Sequence, residues 1–113
     1  MIKIYHNNRC SKSRQGLALL ENSGKEFEII KYLDNTPSID ELKTIIKKLE
    51  IKPIELIRKN EAIWKEKFKG KEMTDEQLVE AMINNPKLIE RPIVINGNRA
   101  VIGRPLENIK NIL

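Results

Sequence analysis

The chain has 113 residues, a length that favours one domain able to bury a core without disulfides or metal. Hydrophobic residues make up 40% and charged residues 33%, a balance typical of globular proteins and not of disordered ones. No apolar run approaches the ~20 residues of a membrane span, and the N-terminus lacks the features of a secretory signal. We therefore expect no membrane partner.

The net charge of +5 permits nucleic-acid binding but indicates it only weakly. The few aromatic residues form no stripe with basic residues on which bases would stack, so no nucleic-acid partner is expected. The single cysteine, Cys10, excludes an internal disulfide and a closed thiolate zinc site. This cysteine usage indicates a reducing, cytoplasmic compartment. Neither a metal-ligand cluster nor a glycine-rich dinucleotide fingerprint occurs, so we expect no bound cofactor.

The first thirty residues predict a β-α-β unit. Ile2–Tyr5 is typical of a short strand, and helix signals begin at Cys10. Gly24 predicts a left-handed cap at the end of this helix. Residues 26–32 predict a second strand, which should run parallel to the first through a right-handed connection.

The middle of the chain predicts helices. Capping-box patterns pair Ser38 with Glu41 and Thr74 with Gln77. Apolar residues follow the first box at helical spacing as far as Leu49. The predicted helices after that point cover residues 53–57, 61–68 and 75–84.

The last part predicts a β-hairpin and a closing helix. Residues 92–95 form an apolar, β-branched strand, Asn96-Gly97 predicts a type I′ turn, and residues 98–102 predict the returning strand. Residues 106–113 predict the helix. The order indicates an α/β fold with one mixed sheet covered by helices on both faces. We expect one domain over residues 1–113, with a helical insertion at about 37–90.

Cys10 carries the clearest chemical signal, because it lies between a strand and the start of a helix. The positive end of the helix dipole and the free N–H groups there favour a thiolate and also bind anions. Arg9 and Arg14 add positive charge on either side. The sequence therefore predicts a nucleophile beside a site for an anionic electrophile.

The segment from His6 to Arg14 resembles the catalytic loop of the glutaredoxin-dependent arsenate reductases, which are related to the Spx-type regulators. The likeness covers essentially the whole chain in the same order. It includes the further segments Tyr32-Leu33, Leu56-Ile57-Arg58-Lys59-Asn60, Glu90-Arg91-Pro92-Ile93-Val94 and Gly103-Arg104-Pro105. The resemblance implies a thioredoxin-like fold with a helical insertion.

The resemblance also implies roles for particular residues. Arg58, Arg91 and Arg104 match the three arginines that bind the oxyanion in that family, and Cys10 matches its nucleophile. Pro92 matches the cis-proline that faces the catalytic loop.

Three further residues are candidates for tuning the thiol. His6 would lower the thiol pKa as an imidazolium, or would be a strand-end histidine held by a backbone carbonyl. Ser13 occupies the position at which dithiol oxidoreductases carry a resolving cysteine. A serine hydroxyl cannot attack a mixed disulfide as that thiol does. Arg14 lies one turn into the helix.

The implied reaction is the reduction of arsenate to arsenite through a covalent adduct on Cys10. Glutathione and glutaredoxin would serve as external reductants, and a monomer is the favoured state. The chain departs from the family's pattern at Asn8, where proline is frequent, and at Ser11-Lys12, where Gly-Thr is frequent. Arg9 is also bulkier than expected beside the nucleophile.

Other functions stay open at this point. An Spx-like regulator would bind RNA polymerase without catalysis, although such regulators commonly carry a Cys-x-x-Cys pair where this chain has Ser13. A thiol oxidoreductase acting on another oxyanion or on a mixed disulfide is a second alternative. A nucleic-acid-binding module is the third, and it would leave Cys10 dispensable.

Overall fold

The computed structural model describes all 113 residues, which divide into two compact units. The first unit comprises Met1–Asn35 and Arg91–Leu113, and the second comprises Thr36–Glu90. The helices are α1 (Ser11–Asn22), α2 (Ile39–Leu49), α3 (Ala62–Lys67), α4 (Asp75–Asn84) and α5 (Glu107–Lys110). None of them is long and apolar enough to cross a membrane.

A four-stranded mixed sheet forms the centre of the first unit. Its strands are β1 (Ile2–Tyr5), β2 (Phe27–Ile30), β3 (Ile93–Asn96) and β4 (Arg99–Ile102). They lie in the order β2-β1-β3-β4, with β1 parallel to β2 and antiparallel to β3, and β3 antiparallel to β4. The predicted α/β fold with a mixed sheet is confirmed, and the parallel β1–β2 pair is the predicted β-α-β unit.

The alternation of side chains along the strands places one apolar face against α1 and α5. Ile4 and Val94 are direct partners in the sheet and are fully buried. The same cluster contains Leu20 of α1 with Ile109 and Ile112 near the C-terminus. The closing helix is shorter than predicted, because only residues 107–110 are α-helical and turns follow them.

The hairpin between β3 and β4 differs from its prediction. Asn96 pairs with Arg99 inside the ladder, so the two-residue loop is Gly97-Asn98. Gly97 has a φ of 63°, whereas Asn98 has no positive φ. The prediction of a type I′ turn at Asn96-Gly97 was wrong, because that turn needs two consecutive residues with positive φ. One positive φ at the first loop residue is the pattern of type II′.

The second unit contains the predicted helices. The Thr74–Gln77 capping box is complete, and Ser38 Oγ accepts a hydrogen bond from the Glu41 N–H at 3.1 Å. The predicted short helix at 53–57 is a 3-10 turn over Pro53–Leu56. α2 packs against α4, and their facing side chains are buried. These side chains include Leu42, Ile45, Ile46, Leu78 and Met82.

Gly103 is expected to tolerate no side chain. An added Cβ would lie 2.8 Å from Pro92 Cγ and 2.9 Å from Ile109 Cδ1, and both neighbours are packed in the buried interior. Gly103→Ala should therefore lower the free energy of unfolding by about 1–3 kcal/mol, the usual range for overpacking. Urea unfolding of the variant measures this change, and an unchanged midpoint and slope would contradict the packing described here.

Candidate active site

Cys10 occupies the N-cap of α1. Its backbone is extended, with φ −97° and ψ 123°, and its carbonyl accepts the Arg14 N–H at 3.0 Å as the first hydrogen bond of the helix. The Cys10 N–H donates to the carbonyl of Asn7 at 3.0 Å, which folds the loop back before the helix begins. The side chain is partly exposed, and the backbone N–H groups of Ser13 and Lys12 favour its charged form. The structure therefore places Cys10 at a helix N-terminus, as the sequence predicted.

Two arginines from the other end of the sequence reach the same sulfur. Arg104 Nη2 lies 3.4 Å from Cys10 Sγ, and the Arg104 Nε–H donates to the carbonyl of Arg91 at 2.8 Å. The Arg91 side chain also donates a hydrogen bond to Cys10. The two guanidinium groups and the helix N-terminus together form a cationic cradle around one thiol.

The electrostatics of this arrangement favour the thiolate. Burial raises the pKa of the Cys10 thiol, but the Ser13 N–H, the Arg91 guanidinium and the Lys12 N–H together outweigh that effect. The net result is a Cys10 pKa below its usual value. Hydrogen bonds and positive charge stabilise the thiolate, which is the form of the side chain that attacks electrophiles.

The backbone just before β3 and just after β4 holds the two arginines beside Cys10. The Arg91–Pro92 peptide bond is cis, the isomer implied by the resemblance, and the Pro92 carbonyl accepts the Gly103 N–H at 2.8 Å. Arg91 and Arg104 flank this contact in sequence. A second cis bond, Arg104–Pro105, was not predicted, since no local signal distinguishes this proline from a trans one.

His6 and Ser13 contact each other in the interior. Ser13 is completely buried, and its Oγ accepts the Asn7 N–H at 3.0 Å and lies 2.6 Å from His6 Nδ1. Burial lowers the pKa of His6, and the charges of Lys31 and Arg14 lower it further, against a hydrogen bond with Ser13 that raises it. The lowered pKa favours the neutral form of the imidazole, and the role of His6 in lowering the thiol pKa stays a prediction. The hydroxyl of Ser13 is one partner of the His6 ring.

Ser13→Ala is expected to destabilise the protein. The change leaves the Asn7 N–H and the His6 ring without their shared partner, and an unsatisfied buried polar group costs about 1–3 kcal/mol. The matched control is Ser11→Ala in the same first turn, where the side chain is exposed and a change within about 0.5 kcal/mol is expected. Equal unfolding midpoints for the two variants would contradict a structural role of Ser13.

Arg14 acts on the loop before Cys10. Its Nη1 donates to the carbonyl of Asn8 at 3.0 Å, and its side chain is exposed. The Oδ1 of Asn7 accepts the Arg9 N–H at 3.0 Å. Arg14, which was predicted to tune the thiol, thus hydrogen-bonds to the loop backbone. The side chains that contact the Cys10 sulfur are those of Arg91 and Arg104.

Arg58 belongs to the second unit, where it follows the 3-10 turn. Its N–H donates to the carbonyl of Leu88 at 2.7 Å, next to an antiparallel bridge between Ile57 and Ile89. Its guanidinium forms ion pairs with Glu61 at 2.8 Å and with Glu90 at 3.6 Å. Sequence reasoning missed both carboxylates, although Glu61 follows Arg58 at a spacing of three residues and offers a local signal.

Comparisons with known proteins identify a matching family model and similar relatives. The ArsC family model matches residues 5–112. An arsenate reductase of Neisseria meningitidis serogroup A is 43% identical over 99% of this chain and 97% of its own length. The uncharacterized protein YfgD of Escherichia coli strain K12 is 42% identical over 99% of this chain and 96% of its own length. The solved structure of an arsenate reductase from Vibrio cholerae has 45% identity and a TM-score of 0.94, covering 99% of this chain and 97% of that one.

Proposed function

The chain belongs to the ArsC family of thioredoxin-like proteins, and we propose that it reduces arsenate to arsenite with thiols as the source of electrons. The observation that carries this proposal is the convergence of Arg91, Arg104 and the N-terminus of α1 on the single thiol of Cys10. Arsenate at neutral pH is a multiply charged tetrahedral anion, and guanidinium groups and free N–H groups are its natural partners.

The reaction begins when the Cys10 thiolate attacks the arsenic atom of the bound anion. A sulfur–arsenic bond forms, and one arsenic–oxygen bond breaks as its oxygen leaves as water after protonation. Arg91 and Arg104 stabilise the negative charge that develops on the remaining oxygens. Because the chain has no second cysteine, the second thiol is external.

Glutathione supplies that second thiol. Its thiolate attacks the Cys10 sulfur and forms a disulfide, the sulfur–arsenic bond breaks, and its electron pair stays on arsenic, which leaves as arsenic(III) in arsenite. Glutaredoxin then reduces the mixed disulfide and restores the thiol. The residues described here require no metal or bound cofactor for these steps, and the structure contains no group of three or more His, Cys, Asp or Glu side chains suited to a metal ion.

Arg58 is proposed as the third arginine that binds the oxyanion, and this part rests on its sequence motif alone. Replacing Arg58 by Lys keeps the charge but not the two-pronged geometry, so Arg58→Lys and Arg58→Ala should both raise the KM for arsenate. We also propose that the chain acts as one functional domain, as a cytoplasmic monomer. The match of the family model to residues 5–112 supports the single domain.

A different function is favoured by one observation only, the kinship with Spx-type regulators stated above. Such a regulator would bind RNA polymerase and would need no anion at its thiol. The two arginines on the Cys10 sulfur favour catalysis instead, because a cationic cradle around a partly exposed thiol suits the binding of an anionic substrate.

The proposal is tested by arsenate-dependent NADPH oxidation with glutathione, glutathione reductase and glutaredoxin present. We expect turnover that requires the protein, arsenate and glutathione, and that is lost when any one of them is omitted. No turnover with arsenate, together with capture of RNA polymerase by the purified protein, would replace this proposal with the regulatory one.

A further inference from the structure

A polar cavity lies beside the loop that precedes Cys10. We propose that it binds the charged groups of the thiol co-substrate, a small peptide thiol that carries two carboxylates and one ammonium group. This inference rests on the proposed function, because it assigns a place to the external thiol that the lone cysteine requires. It adds a binding site that lies outside the cationic cradle around the sulfur.

The cavity has a volume of about 350 Å³, within the range of small-molecule sites. One wall is the loop between β1 and α1, with Asn7, Asn8 and Arg9, and the other is the segment after β2, with Lys31 and Asp34. Arg9 directly precedes Cys10 in the sequence, and the Cys10 N–H is bonded to the carbonyl of Asn7. A ligand in this cavity therefore contacts the loop that carries the nucleophile.

The charges on the cavity wall match the proposed ligand in sign and in number. Arg9 and Lys31 supply two cations, and Asp34 supplies one anion. Their side chains are exposed, and none of them takes part in an ion pair within the chain. Glutathione at neutral pH presents two carboxylates and one ammonium group, so each charge of the ligand has an opposite charge to face.

The wall is held in place before any ligand arrives. Asn7 Oδ1 accepts the Arg9 N–H, and Arg14 Nη1 donates to the carbonyl of Asn8. Lys31 and Asp34 belong to one turn, in which the Asp34 N–H donates to the carbonyl of Lys31 at 3.0 Å. Because these hydrogen bonds already fix the backbone around the cavity, the backbone loses little conformational freedom when a ligand binds, and this favours affinity.

The test uses thiol–disulfide exchange, which needs no arsenate. Cys10 is first converted to its mixed disulfide with 5-thio-2-nitrobenzoate. The thiolate of an added thiol attacks this disulfide, the S–S bond breaks, and the coloured thiolate leaves with the electron pair. The added thiols are glutathione, its diethyl ester with both carboxylates masked, and the neutral 2-mercaptoethanol. The measured quantity is the rate with glutathione divided by the rate with 2-mercaptoethanol, so changes in the reactivity of Cys10 cancel.

We expect saturation with glutathione and no saturation with the diester. Arg9→Ala and Lys31→Ala should each lower the rate ratio about tenfold, and Asp34→Asn should lower it by a smaller factor. The matched control is Lys25→Ala, which removes an exposed lysine of the same unit that does not line the cavity. Its ratio should equal that of the wild type, which separates a binding site from the attraction of the overall positive charge.

Two results would overturn the inference. One is equal saturation by glutathione and its diester, and the other is an equal loss of the ratio in Lys25→Ala and Arg9→Ala. Because the exchange contains no arsenate, these results are independent of the NADPH assay. A protein without arsenate turnover that still prefers glutathione through Arg9 and Lys31 would refute the proposed substrate and support the cavity.

Discussion

Cys10→Ser is expected to lower arsenate-dependent NADPH oxidation by at least about a thousandfold, to the level of the reaction without protein. The serine hydroxyl stays protonated at neutral pH, so no nucleophile is present to form the bond to arsenic. It also cannot form the disulfide with glutathione, and the formation of that disulfide releases the two electrons that reduce arsenic. The coupled assay with glutathione and glutaredoxin measures the loss.

The control for this variant is its folding. Cys10 is partly exposed, so exchanging sulfur for oxygen should leave the unfolding midpoint close to that of the wild type. A folded Cys10→Ser protein that keeps a tenth or more of the wild-type turnover would show that the nucleophile lies elsewhere. The chain offers no other thiol for that role, so the proposed mechanism would fail with it.

Arg104→Ala is expected to lower kcat/KM for arsenate by about 10²–10³-fold, the usual loss when one donor to a developing oxyanion is removed. The change removes the guanidinium that lies 3.4 Å from the Cys10 sulfur and also its hydrogen bond to the Arg91 carbonyl. Arg104→Lys should recover part of the activity, because a lysine restores charge but not two-pronged recognition. Steady-state kinetics over a range of arsenate concentrations measure both variants.

The matched control for Arg104 is Arg99, an exposed arginine on β4 whose Nη2 donates to the carbonyl of Asn111. Arg99→Ala removes the same charge from the same strand region and should change kcat/KM less than threefold. Equal losses in the two variants would indicate that overall charge, and not the cradle around Cys10, attracts the substrate.

Local sequence signals predicted those parts of the molecule that depend on local physics. The start of a helix at about Cys10, the capping box of Thr74 and Gln77, and the start of α2 after Ser38 were all predicted, since the signals for a helix start lie within one turn. The parallel pairing of β1 and β2 followed from the length of the β-α-β unit. In these cases the residues that decide the structure lie close together in sequence.

Contacts between distant residues needed the structure. Arg104 reaches Cys10 across 94 positions, and only the resemblance to a family indicated that pairing. The His6–Ser13 contact spans seven positions and follows from the turn of the loop, which no local pattern specifies. The hairpin turn was displaced by one residue because Asn96 remains in the ladder, where its amide donates to the carbonyl of Ile112. The position of the turn therefore depends on the contact of Asn96 with the C-terminal residues.

The central claim is that arginines and backbone N–H groups hold Cys10 as a thiolate, and the most direct measurement is the pH dependence of its alkylation by iodoacetamide. Only the thiolate reacts, so the rate rises with pH through the thiol pKa. Because the pKa of Cys10 is lowered, we predict a midpoint clearly below the ~8.5 of a free cysteine, and a shift to higher pH in Arg91→Ala. A midpoint at or above ~8.5 that is unchanged in Arg91→Ala would contradict the account.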